Sequence, residues 1–193
     1  KGAPLAIICS RESATNLQVE YAQRALGPNL ITVGFDSGVI LAEERKIQCE
    51  VERAQHLVLR SLKAMRPVLV LPSGLESGAP PAVQQRHLTA ISEVIASHPL
   101  LRHVTSLFVS GGQTAETIRS ALGISAVEIR GAFQASVPWG MPLEGSFQRI
   151  PLVTKGGWLG SETVLFGFFD QGHPLPRANI LPVVTPLTRD KEI

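Results

Sequence analysis

Apolar residues fall into two alternating patterns along this chain: short unbroken runs, and stripes at steps of three and four. "PLAIICS" is an unbroken run of the kind a strand covered on both faces requires, and Ala14, Leu17, Tyr21 and Ala25 follow it as a helical stripe. "NLITVGF" repeats the strand pattern. Ile47, Val51, Ala54, Val58, Leu62 and Met65 then line one face of the longest helix, with Glu44, Lys46, Glu52, Arg53 and Lys63 turned mainly to water, and Arg66-Pro67 ends it. "VLVLPSG" reads as a third strand, "PPAVQQRHLTAISEVIASHP" as a helix opened and closed by prolines, "HVTSLFVSGG" as a strand and "QTAETIRSALG" as a short helix with a glycine stop. Parallel neighbours need crossover connections, and helices of this length supply them. The expectation is a mostly parallel sheet between helical layers, a three-layer α/β/α sandwich.

Beyond Gly123 the texture changes. "AVEIRGAF" alternates like a half-buried strand, "QASVPWGMPLEGSF" reads as a Pro/Gly-rich loop, "RIPLVTKGG" as another strand and "SETVLFGFF" as a short helix capped by Ser161. Prolines at 174, 176, 182 and 186 make residues 170–193 a loosely packed tail. With 193 residues, 44% of them hydrophobic, the chain can bury one substantial core but is short for two, so residues 1–193 are read as a single domain. It begins at Lys1 and runs almost at once into a central strand, as a piece cut from a longer protein would.

Charge and composition narrow the chemistry. The net charge of +2 comes from 18 basic and 16 acidic residues that are interspersed, and only 5% of residues are aromatic, so nucleic-acid binding is not suggested. Cys9 and Cys49 lack CxxC spacing, which argues against a metal or redox motif and fits a reducing cytoplasm. No window approaches a membrane span and no signal peptide is evident, so the expectation is a soluble cytoplasmic protein with no membrane partner. The histidines at 56, 87, 98, 103 and 173 show neither HxxxH nor HxH spacing, and no metal site is expected of them. Ser73 and Ser110 follow strands without a GxSxG elbow, which leaves a serine hydrolase unsupported.

In an open parallel sheet ligands collect at the carboxyl ends of strands, where helix N-termini favour anions. Three polar or glycine-bearing turns fall there: "CSRESAT", "SGGQT" and "TKGGWLG". Each alone has a plain alternative. Taken singly, Gly111-Gly112 reads as a tight turn, and Lys155 as a solvated strand-end lysine. Trp139 and Trp158, both read as loop residues, could stack on a base or anchor their loops to the core.

Taken in order, "CSRESATNLQVEYAQRAL", "VSGGQTAETIRSALGI", "ASVPWG" and "LVTKGGWLG" resemble the C-terminal nucleotide-binding domain of the four-carbon acid sugar kinase family, roughly from Leu5 to Phe169. That family reads G-S-C/R-S-x-x-T-x-x-Q, then G-G-E/D-T, G-V-P-W and K-x-G-x-F-G. The resemblance implies an ATP-binding domain, with Mg2+, whose partner is an N-terminal acid-sugar domain of the same polypeptide. It implies nucleotide contact for Ser10, with Arg11, Thr15 and Gln18 also matching. Gly111, Gly112, Gln113 and Thr114 stand at the turn lying against the phosphates, and Lys155, Gly157 and Gly160 at the last turn. Val137, Pro138 and Trp139 match a loop of structural role. Gln113 replaces the usual acid, Glu12 the second serine, Cys9 the glycine before Ser10, and Ser136 the glycine before V-P-W.

An amide at 113 carries no charge to offset Mg2+. Of the three aspartates, Asp36, Asp170 and Asp190, none lies in the candidate turns, and no acceptor base is identified, so the catalytic residues are unknown. The chain by itself is therefore expected to bind nucleotide without catalysing transfer, and the alternative is a regulatory domain that binds a nucleotide or sugar phosphate. Loss of the docking domain would expose an apolar patch, through which a homo-oligomer could form.

Overall fold

The fold is described from a computed structural model covering residues 2–10, 12–40, 44–74, 80–96, 98–148 and 150–171. Its elements are β1 (Ala3–Ile8), α1 (Ser13–Leu26), β2 (Ile31–Asp36), α2 (Ser37–Ile40), α3 (Glu44–Lys63), β3 (Val68–Ser73), α4 (Pro81–Ile95), α5 (His98–Leu101), β4 (Val104–Ser110), α6 (Gly112–Ala121), β5 (Val127–Gln134), β6 (Val137–Pro142), β7 (Leu152–Lys155) and α7 (Val164–Asp170). The strands form one sheet in the order β2-β3-β1-β4-β7-β6-β5. The first five in that order are parallel; β6 runs antiparallel to β7, and β5 antiparallel to β6.

Period-two alternation divides the core between the two faces of the sheet. Leu5, Ile7, Val68, Val70, Leu107 and Val109 face one helical layer, meeting Val51, Ala54, Val58 and Leu62 of α3, Ile91 and Val94 of α4, and Ile118 of α6. Ala6, Ile8, Leu69, Phe108 and Val153 face the other, meeting Ala22 of α1 and Val164, Leu165, Phe168 and Phe169 of α7. The three-layer α/β/α sandwich expected from the pattern is the fold observed.

This division positions the site. β1 and β4 are neighbours, yet the chain leaves β1 into α1 on one face and leaves β4 into α6 on the other. Adjacent parallel strands whose helices depart to opposite faces leave a crevice at their carboxyl ends.

Several expectations are corrected. The segment "QASVPWGMPLEGSF" is not all loop: Val137–Pro142 is a strand between β5 and β7. Its prolines conceal it, but Pro138 and Pro142 flank Trp139 and Gly140, the two residues that pair with β7, so neither breaks the doubly bonded stretch. Gly140 is there because β5 comes so close that a Cβ would sit 2.4 Å from the Glu128 carbonyl oxygen. Trp139 is accordingly a core residue, 7% exposed, and not a loop residue. Met65 lies past the end of α3 with φ of 57° and is 57% exposed, because the chain must leave the helix before Pro67. Ser161 does not cap α7, which begins at Val164; its hydroxyl meets the Gln134 carboxamide oxygen at 3.0 Å. Tyr21 is only partly buried, edge-on to Phe166 at 5.8 Å. The short helices α2 and α5 were not expected. The tail from 172 onward, with His173 and Asp190, lies outside the described residues.

Candidate functional site

The sheet register brings the three turns side by side. Ile8 aligns with Ser110, and Ser110 with Lys155, so Cys9-Ser10, Gly111-Gly112 and Gly156-Gly157 emerge from adjacent strand ends. The Gly111 N–H donates to the Lys155 carbonyl at 2.9 Å and carries the ladder one residue further. Gly111 has φ of 105° and ψ of 133°, a conformation essentially reserved for glycine, and a side chain there would press on Thr114 Oγ1 at 3.0 Å. At Gly112 nothing lies within 4 Å of where a Cβ would stand, so bare backbone faces open space. Gly157 is the reverse: a Cβ would sit 2.3 Å from Ser10 Oγ and 2.5 Å from Glu12 Cγ, so the last turn is packed directly on the first.

Two helix N-termini open at this place. The first intrahelical bonds are Asn16 N–H to the Glu12 carbonyl at 3.0 Å and Ala115 N–H to the Gly111 carbonyl at 2.9 Å. The N–H groups of residues 13–15 and 112–114 therefore point out of the ends of α1 and α6. Neither end has a side-chain cap hydrogen bond, and no acid lies within the first helical turn of either, though the exposed Glu12 stands at the N-cap of α1. Two uncapped positive helix ends beside one crevice favour an anion there.

Lys155 is neither solvated nor mobile. Its side chain is 4% exposed, and its ammonium donates to the carbonyls of Gly156 at 2.9 Å and Gly157 at 3.0 Å and to Thr15 Oγ1 at 3.2 Å. Burial lowers its pKa to about 8. Thr15 Oγ1 in turn donates to the Gly157 carbonyl, and Gln18 Nε2 donates to the carbonyls of Leu159 at 3.0 Å and Gly160 at 3.2 Å. Thr15, Gln18 and Lys155 thus latch the β7–α7 turn onto α1.

The remaining candidates separate. Thr114, buried at the start of α6, bonds the Cys9 thiol, and burial pushes that thiol up to about 12, which makes it unreactive at neutral pH. Gln113 turns to α4, its amide donating to Gln85 Oε1 at 3.1 Å. Arg11 lies outside the described residues. Asp36 is at the far edge strand and accepts from its own Gly38 N–H at 2.7 Å; Asp170 ends α7. Glu12, exposed at the N-cap of α1, is the carboxylate placed at the first turn. Among the described residues no group of three His, Cys, Asp or Glu side chains could hold a metal ion.

One residue that the sequence offers only as an unsupported hydrolase nucleophile gains a place at the site. Ser110 is fully buried at the end of β4, aligned with Lys155, and its hydroxyl has no partner among the described residues. Only the strand register, which follows from pairing between distant segments, places it there.

Residues 5–165 match the family model described as the nucleotide-binding C-terminal domain. The chain belongs to this family, the C-terminal nucleotide-binding domain of the four-carbon acid sugar kinases, as the order of its four motifs implies. It is similar to the D-threonate kinase of Salmonella typhimurium, 23% identical over 170 residues that make up 83% of this chain and 40% of that protein. Among solved structures, a domain of unknown function from Bordetella bronchiseptica, a domain-swapped dimer with bound citrate, superposes with a TM-score of 0.73 at 21% identity, over 86% of this chain and 40% of that one. A Haemophilus influenzae protein gives a TM-score of 0.65 at 22% identity, over 87% of this chain and 40% of the other. The chain thus spans about 40% of the length of these relatives.

Proposed function

We propose that this chain is the ATP-binding part of a kinase that phosphorylates a four-carbon sugar acid of the threonate, erythronate or 3-oxo-tetronate class. The observation that carries this reading is the pair of uncapped helix ends, α1 and α6, at the β1–β4 crevice, with open space over Gly112 where a phosphate can approach backbone. The likeness to a D-threonate kinase supports the acceptor class. The N–H groups of 112–114 bind phosphate oxygens, and the Ser10 hydroxyl reaches them from the first turn. Thr114 supports Gly111, and Lys155 holds the Gly156-Gly157 turn in place while contributing positive charge beneath it.

The open backbone at Gly112 and the orphaned Ser110 hydroxyl fit a phosphate chain. Bound ATP supplies the phosphoryl group. For Mg2+ the turns offer one carboxylate, Glu12, and the Gln113 amide, so the ion would be held chiefly by phosphate oxygens and waters, which suits its preferences. The acceptor base and sugar-acid pocket belong to an N-terminal domain of the same cytoplasmic polypeptide.

Calorimetric titration with ATP, ADP and NAD, with and without Mg2+, tests the reading. Adenine nucleotides are expected to bind, and Gly112→Ala to weaken them at least about tenfold with no loss of thermal stability, since the new methyl meets only ligand. Unchanged affinity in that variant overturns the phosphate placement. The lack of an identified acceptor base favours one second reading, a regulatory nucleotide-binding domain, which acceptor-dependent ADP formation by the chain joined to its N-terminal domain would exclude.

A further inference from the structure

Of the two tryptophans, Trp139 is buried in β6, whereas Trp158, in the turn between β7 and α7, is 75% exposed. An indole left in water forgoes the burial energy that large aromatics ordinarily supply. Among the described residues no aromatic ring or guanidinium stacks on it.

The backbone that carries it is nonetheless fixed on both sides. Before it, the carbonyls of Gly156 and Gly157 accept from the Lys155 ammonium, and Gly157 also from Thr15. After it, the carbonyls of Leu159 and Gly160 accept from Gln18, and the Leu159 N–H donates back to Gly156 at 3.1 Å. An exposed side chain on a surface turn does not require such anchoring, whereas an aromatic platform gains from it, because rigidity lowers the entropy lost when a ligand stacks. The ring also lies back along the strand end: its Nε1 is 3.5 Å from where a Cβ on Gly156 would stand. The adjoining Gly157 packs on Ser10 and Glu12 at the rim of the crevice.

We propose that Trp158 is the platform on which the base of the nucleotide stacks, its phosphates lying at the ends of α1 and α6. This rests on the nucleotide reading above and adds a residue that the motif itself leaves unspecified. Stacking of this kind tolerates any base, because every base has a π-face, and it contributes about 1–3 kcal/mol, or roughly 5- to 150-fold in affinity.

The test compares the protein with its Trp158→Leu and Trp158→Phe variants, titrated with ADP and with inorganic pyrophosphate, by calorimetry and by tryptophan fluorescence. ADP is expected to quench the exposed, red-shifted component of the emission and to bind about tenfold more weakly to Trp158→Leu. Trp158→Phe should recover most of that loss, while pyrophosphate binds all three proteins equally. Equal ADP affinity across the variants, with pyrophosphate still bound, overturns the stacking role and leaves the phosphate site standing; the exposed indole would then be a protein contact. Failure of both ligands to bind overturns the nucleotide reading and the stacking role together. The side chain is exposed, so matched melting temperatures are expected and confirm that all three proteins are folded.

Discussion

A lysine buried at the end of a central strand must be met by oxygen atoms or give up its proton, and Lys155 shows both effects. Three oxygens receive its ammonium, and burial still lowers its pKa from 10.5 to about 8. A base that binds its proton less tightly when folded destabilises the fold below the folded pKa, and that penalty lifts as pH passes from about 8 to 10.5, where the unfolded chain holds more protons. The stability of the wild-type protein relative to Lys155→Met should therefore rise over that window in urea unfolding at a series of pH values. The Cys9 thiol, raised from 9.0 to about 12, has the opposite slope above pH 9, but both proteins share it and it cancels in the difference. Parallel pH curves for the two proteins would show that the ammonium is not desolvated. Two adjacent glycines should behave differently for reasons equally local. Gly111→Ala forces a side chain into φ of 105° against Thr114 and is expected to cost about 1–3 kcal/mol in unfolding measurements, whereas Gly112→Ala meets no protein atom and should cost nothing.

At the scale of elements, the motif residues Thr15 and Gln18 act between α1 and the β7–α7 turn, more than 140 positions apart in sequence. Gln18→Leu takes the donor from the Leu159 and Gly160 carbonyls, at about 1–3 kcal/mol, whereas Thr15→Val takes one of the two donors from the Gly157 carbonyl and one of the three oxygens that receive the Lys155 ammonium. Thr15→Val and Gln18→Leu should each destabilise the fold, and because both brace one turn the pair should lose less than the sum of the singles. Strict additivity in the double-mutant cycle would mean the turn stands without the latch. The same contrast between local and distant causes explains what could be read from sequence. The stripe of α3 and the unbroken runs of β1, β3 and β4 were legible because their patterns are local and long, whereas the stripe read on α1 lies beside its buried face: Leu17 is 53% exposed, and Thr15, Gln18 and Ala22 are the residues turned inward, two of them polar because they bind the β7–α7 turn. β6 was not, since a strand with two prolines and a glycine carries loop composition and is stabilised only by β5 and β7. Met65 was misplaced because the helix ends at Lys63, ahead of the Arg66-Pro67 stop, and the chain turns through a positive φ at Met65 that a helical stripe does not show. Lys155 looked solvated because nothing in "TKGG" indicates that α1 covers it.

For the whole molecule, the strand order matters most. The chain passes out to β5 at the sheet edge and returns through β6, and β7 thereby enters between β6 and β4, which sets Lys155 next to Ser110 and the last turn against the first. That ordering rests on pairings between distant segments, so the sequence could nominate three turns while only the fold brings them together. What the fold brings together is suited to holding phosphates and poor in groups that could take a proton from an alcohol. Among the described residues Glu12 is the carboxylate at the first turn, and Asp36 is occupied at the opposite edge of the parallel strands. Phosphoryl transfer depends chiefly on positioning and charge neutralisation, yet the acceptor hydroxyl must still be oriented or deprotonated. A chain that binds ATP without those groups should show nucleotide affinity but no acceptor-dependent turnover. Incubated with ATP, Mg2+ and D-threonate or D-erythronate, this chain alone is expected to yield no phosphorylated acid by mass spectrometry, and joined to the N-terminal acid-sugar domain proposed for it, it should yield product with one of them. Phosphorylated acid from the isolated chain would mean that the acceptor site and its base lie within these residues, with Glu12 the first carboxylate to replace by glutamine.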